Sequence, residues 1–331
     1  MKNKSGQIII INSLRGLASL AVCLYHFVCT TTGFITNETL LNIFTYGKKG
    51  VHVFFIISGI VIPLSLLKSN YKIRSIGKYL LKRFIRIEPP YLAAVALGIA
   101  YLVARNFVPG STQLDMTPSV RDIFLHIGYL VPFVEGAKWI NPVFWTLSIE
   151  FQYYLFLSIL FPLALSKKPI LNWVLNAIVI TNPFILSTRG FYLHWSAFFG
   201  VGIFYALFRS NVYTKTEFFI TVALCSVVIF IEQSWIDLLI ALTTISVIHA
   251  FPHVKGKIGL FLGEISYSLY LVHSIVGAAF INFMSHRISS PGGKFMVILG
   301  GIFISISFAY LFWRFIEKPS QRKSQQIKMS K

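Results

Sequence analysis

Several ionisable side chains of this sequence sit inside apolar runs, at spacings that give them chemical interest. In N-S-L-R-G-L-A-S-L-A-V-C-L-Y-H, Asn12, Arg15, Ser19 and His26 recur at intervals of three, four and seven, one stripe of a helix. Arg15 and His26 face the same way to within about 20° and lie roughly 16 Å apart along the axis. An imidazole in such a place can take a proton from a hydroxyl, or accept a transferred group itself. In F-W-T-L-S-I-E-F-Q-Y-Y, Thr146, Glu150 and Tyr153 or Tyr154 share a face. Glu150 is placed to orient a histidine, to hydrogen-bond a sugar, or to pair structurally with Arg15 or another base. Ser266, Tyr270 and His273 form a third stripe in I-S-Y-S-L-Y-L-V-H, and His52 opens G-V-H-V-F-F-I-I-S-G. In K-R-F-I-R-I-E-P-P, Arg83 and Arg86 stand at i, i+3 just before an apolar run. Guanidinium forks bind phosphate bidentately, so a phosphate-bearing donor such as coenzyme A would find a grip there. Each feature has a plainer alternative: a polar seam that glues helices, a hydrogen-bonded structural histidine, a hydrated interfacial one, or ordinary loop charge.

These residues matter because of the elements that must carry them. The 331-residue chain is 55% apolar and only 12% charged, with mean hydropathy +0.70. A soluble domain of this length carries about twice that charged fraction. The fold class expected is all-α, a polytopic transmembrane bundle of about ten spans (nine to eleven). They fall near 8–28, 47–67, 87–105, 143–165, 170–187, 191–208, 217–231, 235–250, 263–284 and 294–316. Ionisable groups inside such spans are costly and normally face the bundle interior.

Formal charge is +19, from 30 Lys+Arg against 11 Asp+Glu. The basic residues sit mostly in short loops, as the positive-inside rule requires, so nucleic acid is not the partner expected. The inside set is Lys2, Lys4, Lys68, Lys72, Arg74, Lys78, Lys82, Arg83, Arg86, Lys167, Lys168, Arg209, Lys215, Lys255, Lys257 and five residues after position 317. Only Lys48, Lys49, Arg105, Arg121, Lys138, Arg189, Arg287 and Lys294 fall outside, giving N-in, C-in topology. Two connections are long: a basic cytoplasmic one at about 68–86, and an outer one at about 106–142 with Pro109, Gly110, Pro118, Pro132 and Pro142. One transmembrane domain, 1–319, is expected, followed by a polar cytoplasmic tail, 320–331. Cys23, Cys29 and Cys225 form no Cys-x-x-Cys pair, so neither a disulfide framework nor a metal site is expected. The stretch from Ile8 holds Asn12 and Arg15 and has no small-x-small cleavage site, so it reads as a retained first helix. The expected arrangement is a basic cytoplasmic mouth below an outer pocket in which His26, His52, Glu150 and His194 share a depth.

Six segments in series then bring a family into view. They are Arg15-Gly16 followed by His26, G-V-H-V-F-F-I-I-S-G, K-R-F-I-R-I-E-P-P-Y, W-T-L-S-I-E-F-Q-Y-Y from Trp145, I-S-Y-S-L-Y-L-V-H, and Glu317-Lys-Pro319. In this order the chain resembles the acyltransferase 3 family of membrane acyltransferases, which includes bacterial O-antigen and exopolysaccharide O-acetyltransferases. The resemblance implies transfer of an acyl group, usually acetyl, from cytoplasmic acyl-CoA to a hydroxyl of a cell-surface or lipid-linked polysaccharide. It implies residence in a bacterial inner membrane. Acetyl-CoA is then a donor substrate, and no bound cofactor is expected. The resemblance also implies that His26 is the catalytic histidine with Arg15 as its motif partner, that Arg83 and Arg86 are donor-side arginines, and that Glu150 is a buried motif acid. His52, Trp145, Tyr270 and His273 are the candidates for the acceptor pocket. Some members append a periplasmic hydrolase-like domain. None is expected after the last span here, so the membrane domain transfers directly or a separate protein helps. The rival reading is a transporter or flippase of a glycolipid or anionic solute, against which stands the lack of repeat halves and paired broken spans.

Overall fold

A computed structural model describes residues 8–31, 33–107, 117–166, 168–185 and 188–328. Lys2, Lys4, Pro109, Gly110, Lys167 and Lys331, which enter the charge and loop patterns above, lie outside the described residues. Within them the chain is helix and turn, with no strand. The helices are α1 (Ile10–Cys29), α2 (Glu38–Thr45), α3 (Gly50–Lys68), α4 (Ile76–Asn106), α5 (Val120–Ile127), α6 (Trp145–Ala164) and α7 (Pro169–Ile185). There follow α8 (Tyr192–Arg209), α9 (Lys215–Glu232), α10 (Trp235–Ala250), α11 (Lys257–His273), α12 (Ala279–Ser285), α13 (Pro291–Phe312) and α14 (Lys318–Gln326). Two π-helical segments, Ser274–Ala278 and Trp313–Glu317, join α11 to α12 and α13 to α14 without a break. An apolar bundle takes this form because helices satisfy every backbone group internally where no water is available. Six continuous stretches are long and apolar enough to cross a membrane: Ile10–Cys29, Glu38–Lys68, Ile73–Asn106, Trp145–Ala164, Lys257–Ser285 and Pro291–Gln326. Helices α7 and α10 are apolar but shorter.

Helix α1 lies along α11 and also packs on α3, while α3 packs on α8. Small residues set both main crossings. A Cβ on Gly16 would come within 2.7 Å of Leu262 Cβ and 2.8 Å of the Gly263 nitrogen, and one on Gly263 would collide with the Asn12 backbone. On the other crossing, a Cβ on Gly59 would collide with the Phe199 carbonyl and reach 3.0 Å from Gly202 Cα. Such closeness gives van der Waals contact along whole helices, the main attraction between helices in lipid.

Two connections differ from expectation. The basic 68–86 stretch is mostly helix: α4 starts at Ile76 and runs through Pro89 and Pro90. Tyr79, Arg83 and Ile87 recur every four residues and are buried, so the segment presents a helical face to the bundle despite its charge. The Tyr267 hydroxyl donates to the Ile87 carbonyl (3.0 Å) beside the proline pair. The 106–142 connection contains α5, opened by a Ser119–Asp122 capping box. His126 fixes this segment, with Nδ1–H donating to the Asp122 carbonyl (2.7 Å) and Nε2 accepting from the Ile140 N–H (3.0 Å). Asn141 ties the far end to α11, donating to the Leu271 carbonyl (3.0 Å) and accepting from the Ser274 hydroxyl (2.7 Å). Residues from Ser320, expected as a tail, continue as α14 to Gln326, with Ser320 and Ser324 buried and the helix packed along α4.

Candidate active site

Two cavities lie end to end in the bundle. One, of about 90 Å³, is a cleft lined by Arg15 of α1, Arg83 and Arg86 of α4, Glu150 and Tyr154 of α6, and Glu317. The other, of about 670 Å³, is a chamber lined by His26, His52, Trp145, Trp195, Arg189 and Asp237 among others. Val51 and Tyr270 line both, so they form the wall between them. The Tyr270 hydroxyl is fixed there, accepting from Thr146 Oγ1 (2.8 Å) and donating to the Val143 carbonyl (3.2 Å). Helix α1 thus shows Arg15 to the cleft and His26 to the chamber, as the shared stripe requires.

In the cleft the guanidinium of Arg83 lies over the rings of Tyr79 (5.4 Å) and Tyr154 (5.6 Å), and its Nε is buried without a partner. Glu150 accepts from the Tyr154 hydroxyl (2.5 Å) and the Ser58 hydroxyl (3.3 Å). Glu317 accepts from Ser268 through N–H (3.1 Å) and hydroxyl (2.5 Å), and from Gln321 Nε2 (2.6 Å). The carboxylates are therefore occupied by neutral donors. Among the described residues, no ion pair within 4.0 Å engages Arg15, Arg83 or Arg86. Three guanidinium groups facing two carboxylates leave a net positive, hydrogen-bond-hungry cleft suited to an anion.

In the chamber the ring of His26 tilts against that of His273, 5.1 Å between centroids. His273 is fully buried, and its Nδ1–H points at the Leu269 and Tyr270 carbonyls (3.1 and 2.8 Å), which leaves Nε2 as a bare acceptor. His52 stacks on Phe198 (4.4 Å), and its Nδ1 lies 2.8 Å from Asp237 Oδ1, a contact not aligned as a hydrogen bond. Asp237 also receives Lys49 Nζ (2.6 and 2.7 Å) and the Ser234 hydroxyl (2.6 Å). Trp145, Trp195 and Phe55 form an aromatic cluster beside them, with centroid separations of 5.5–6.4 Å.

The shared depth expected for His26, His52, Glu150 and His194 divides: Glu150 lines the cleft, not the chamber, and is not brought to His26. His194 meets Gln233 Nε2 through its own Nε2 (2.8 Å), behind the chamber wall. Ser19 and Ser266 close onto carbonyls of their own helices (2.9 and 2.8 Å), so these members of the stripes are structural. Asp237 was not legible as a site residue, because it stands at the start of α10 and meets α3 only through the fold. The sole local signal is Ser234-x-x-Asp237, a helix-start pattern. Among the described residues, no group of three or more His, Cys, Asp or Glu is placed to hold a metal ion.

Comparison with known proteins gives a family model, described as an acyltransferase domain, that matches residues 8–314. The provisionally named acetyltransferase ORF330 of Acidianus two-tailed virus is 28% identical, over 80% of this chain and 82% of its own. A provisionally named O-acetyltransferase of Staphylococcus aureus is 25% identical over 95% of this chain, which spans only 57% of that protein's length. Acyltransferase MdmB of Streptomyces mycarofaciens is 30% identical over 54% of this chain and 46% of its own. No solved structure matches.

Proposed function

Because the chain belongs to the acyltransferase 3 family of membrane acyltransferases, we propose that it carries an acyl group, acetyl by analogy, from cytoplasmic acyl-CoA to a hydroxyl of a cell-surface or lipid-linked glycan. The observation that carries this reading is the placement of Arg15 and His26 on one helix, in two cavities that share a wall at Val51 and Tyr270. The cleft takes the donor's phosphates on Arg15, Arg83 and Arg86, which no ion pair within 4.0 Å engages among the described residues. The acyl end passes the shared wall and meets His26. There the imidazole acts on the thioester or on the acceptor hydroxyl. Tryptophans 145 and 195 offer the flat apolar faces on which sugar rings rest. The O-acetyltransferase name of the staphylococcal relatives agrees with acetyl transfer to oxygen. In this reading the helices α1, α3, α4, α6 to α11 and α13 make ten spans, and the basic end faces the cytoplasm of a bacterial inner membrane.

The test uses protein in nanodiscs with radiolabelled acetyl-CoA and envelope glycan extracted from the expressing cells. Release of free CoA and label on glycan are followed for wild type and His26→Ala. Turnover in wild type, with a loss of at least about a hundredfold in His26→Ala, is expected. CoA release unaffected by His26→Ala would overturn the role of the histidine. Glycan moved across the bilayer of sealed proteoliposomes without becoming labelled would overturn the enzyme reading in favour of a transporter.

A further inference from the structure

The chamber contains two imidazoles in different settings. His26 is backed by His273 and has no carboxylate among its contacts, and its ring nitrogens have no hydrogen-bond partner among the described residues. His52 has a carboxylate at its Nδ1, and that carboxylate is itself fixed by Lys49 and by Ser234 at the start of α10. Stacking on Phe198 and the flank of Trp195 (5.5 Å) hold the ring plane. Nδ1 is sealed from solvent, so Nε2 is the nitrogen left open to the chamber. A base oriented by a third group is the arrangement that hydroxyl activation requires. The approach to it is at His52, whose Nδ1 has a carboxylate oxygen at 2.8 Å in an ion-pair contact short of hydrogen-bond alignment, and not at His26. Since Lys49 and Asp237 are 188 positions apart in sequence, the cluster is made by α3 meeting α10 and serves no local turn.

Resting on the acyl-transfer reading above, we propose that the two histidines divide the work: His26 takes the acyl group from the donor, and His52, positioned by Asp237, is the base that activates the acceptor hydroxyl. In the first half, a His26 ring nitrogen attacks the thioester carbonyl. An N–C bond forms, the C–S bond breaks, and the ring's remaining proton goes to the departing CoA sulfur. In the second half, His52 Nε2 takes the proton of the acceptor hydroxyl as its oxygen attacks the acyl carbon. A C–O bond forms, the N–C bond breaks, and the proton passes from His52 through the chamber's solvent to the released nitrogen of His26. Asp237 stabilises the transient imidazolium of His52. Lys49 keeps Asp237 in place and touches no reacting atom.

The experiment separates the halves, on the full chain in nanodiscs with radiolabelled acetyl-CoA, rapid quench and the same extracted glycan. In His52→Gln, glycan labelling falls at least about a hundredfold in kcat, while label accumulates on the protein and kcat/KM for acetyl-CoA, which reports the donor half alone, stays within about twofold. The isosteric Asp237→Asn, which preserves the helix start, gives the same partition with a smaller loss, and Asp237→Glu recovers part of the kcat. Either isosteric variant transferring to glycan at the wild-type kcat would overturn the assignment. Loss of the first-turnover burst of CoA in both, with the fold intact by thermal melting, would also overturn it, since the pair would then serve the donor half. If wild type itself neither cleaves donor nor labels glycan, the acyl-transfer reading fails and this division fails with it, an outcome visible without any His52 variant, whereas donor cleavage persisting in His26→Ala overturns the division alone.

Discussion

The guanidinium of Arg83 lies over two phenol rings with its Nε unpartnered, and that geometry is specific to arginine. A lysine keeps the charge but neither stacks as a plane nor offers two parallel donors to a phosphate. Arg83→Lys is therefore expected to raise KM for acetyl-CoA about tenfold, the loss of one charge-assisted bond, with kcat changed much less. Steady-state kinetics checks this, and an unchanged KM would move the donor phosphates away from Arg83. Much of this site was legible residue by residue, because a helical stripe is a local property: Arg15 and His26 follow from phase alone. What phase does not give is the partner across the bundle. Glu150 has the right face for a histidine, yet its depth along α6 puts it with Ser58, Tyr154 and the arginines. Asp237 is not named, and Glu317 enters only as part of a family segment with no role in the site, for related reasons. The first sits at a helix start, and the second closes a π-helical segment that shifts the register of the stripe behind it.

At the scale of elements, helices that carry site residues are locked by glycine contacts, which makes the lock testable. Gly263→Leu must push α11 off the Asn12 backbone of α1. Overpacking of this kind costs about 1–3 kcal/mol, and it displaces Arg15 and His26 together. A lower melting temperature is expected with a large loss of turnover. The buried thiols of Cys23 and Cys225 supply the readout, since a thiol-reactive dye labels them only on unfolding. A variant with wild-type melting would show that the crossing tolerates separation. The segment 117–142 makes a pH-dependent prediction. Burial holds His126 below its ordinary value of 6.5, and the docked ring must be neutral because Nε2 accepts from the Ile140 N–H. A freed segment gains a proton as pH drops below about 6.5, whereas the docked one gains it only at lower pH. Docking is thus at full strength above pH 6.5 and weakens as pH falls toward the docked value. Hydrogen exchange across 117–142, corrected for intrinsic rates, should rise between pH 7.5 and 5.5. In His126→Gln it should be fast at both. Equal protection at both pH values in wild type would show that His126 does not fasten the segment. The helices were legible from apolar runs, but the start of α4 was not, since a lysine- and arginine-rich stretch before Pro89 and Pro90 has the composition of a loop. Only the buried recurrence of Tyr79, Arg83 and Ile87 reveals the helix, and that recurrence is hidden by the charges between them.

For the whole molecule, the decisive matter is which end faces which solution. The basic stretch of α4 and the basic C-terminal helix α14 lie together, with Lys82 Nζ donating to the Ile327 carbonyl (3.4 Å), and both border the end where Arg83, Arg86 and Glu317 line the cleft. The chamber opens among Lys48, Trp139 and Arg189, where basic residues are fewer. With Lys and Arg retained on the cytoplasmic side, the proposed topology has the cleft toward the proposed cytoplasmic donor and the chamber toward the opposite face. Cysteines placed singly on exposed positions test this, with Cys29→Ser removing the partly accessible natural thiol. At Lys78→Cys and Lys323→Cys, a membrane-impermeant maleimide should label only after permeabilisation. At Arg121→Cys and Arg287→Cys it should label intact cells. The reverse pattern would place the arginine cleft outside the cell, where acyl-CoA is not supplied, and the donor proposed for this enzyme would have to be abandoned. Labelling of all four positions from one side would instead require an even number of spans between Lys78 and Arg121 and between Arg287 and Lys323, where the ten-span arrangement has one each, and that arrangement would fall while the two joined cavities stood.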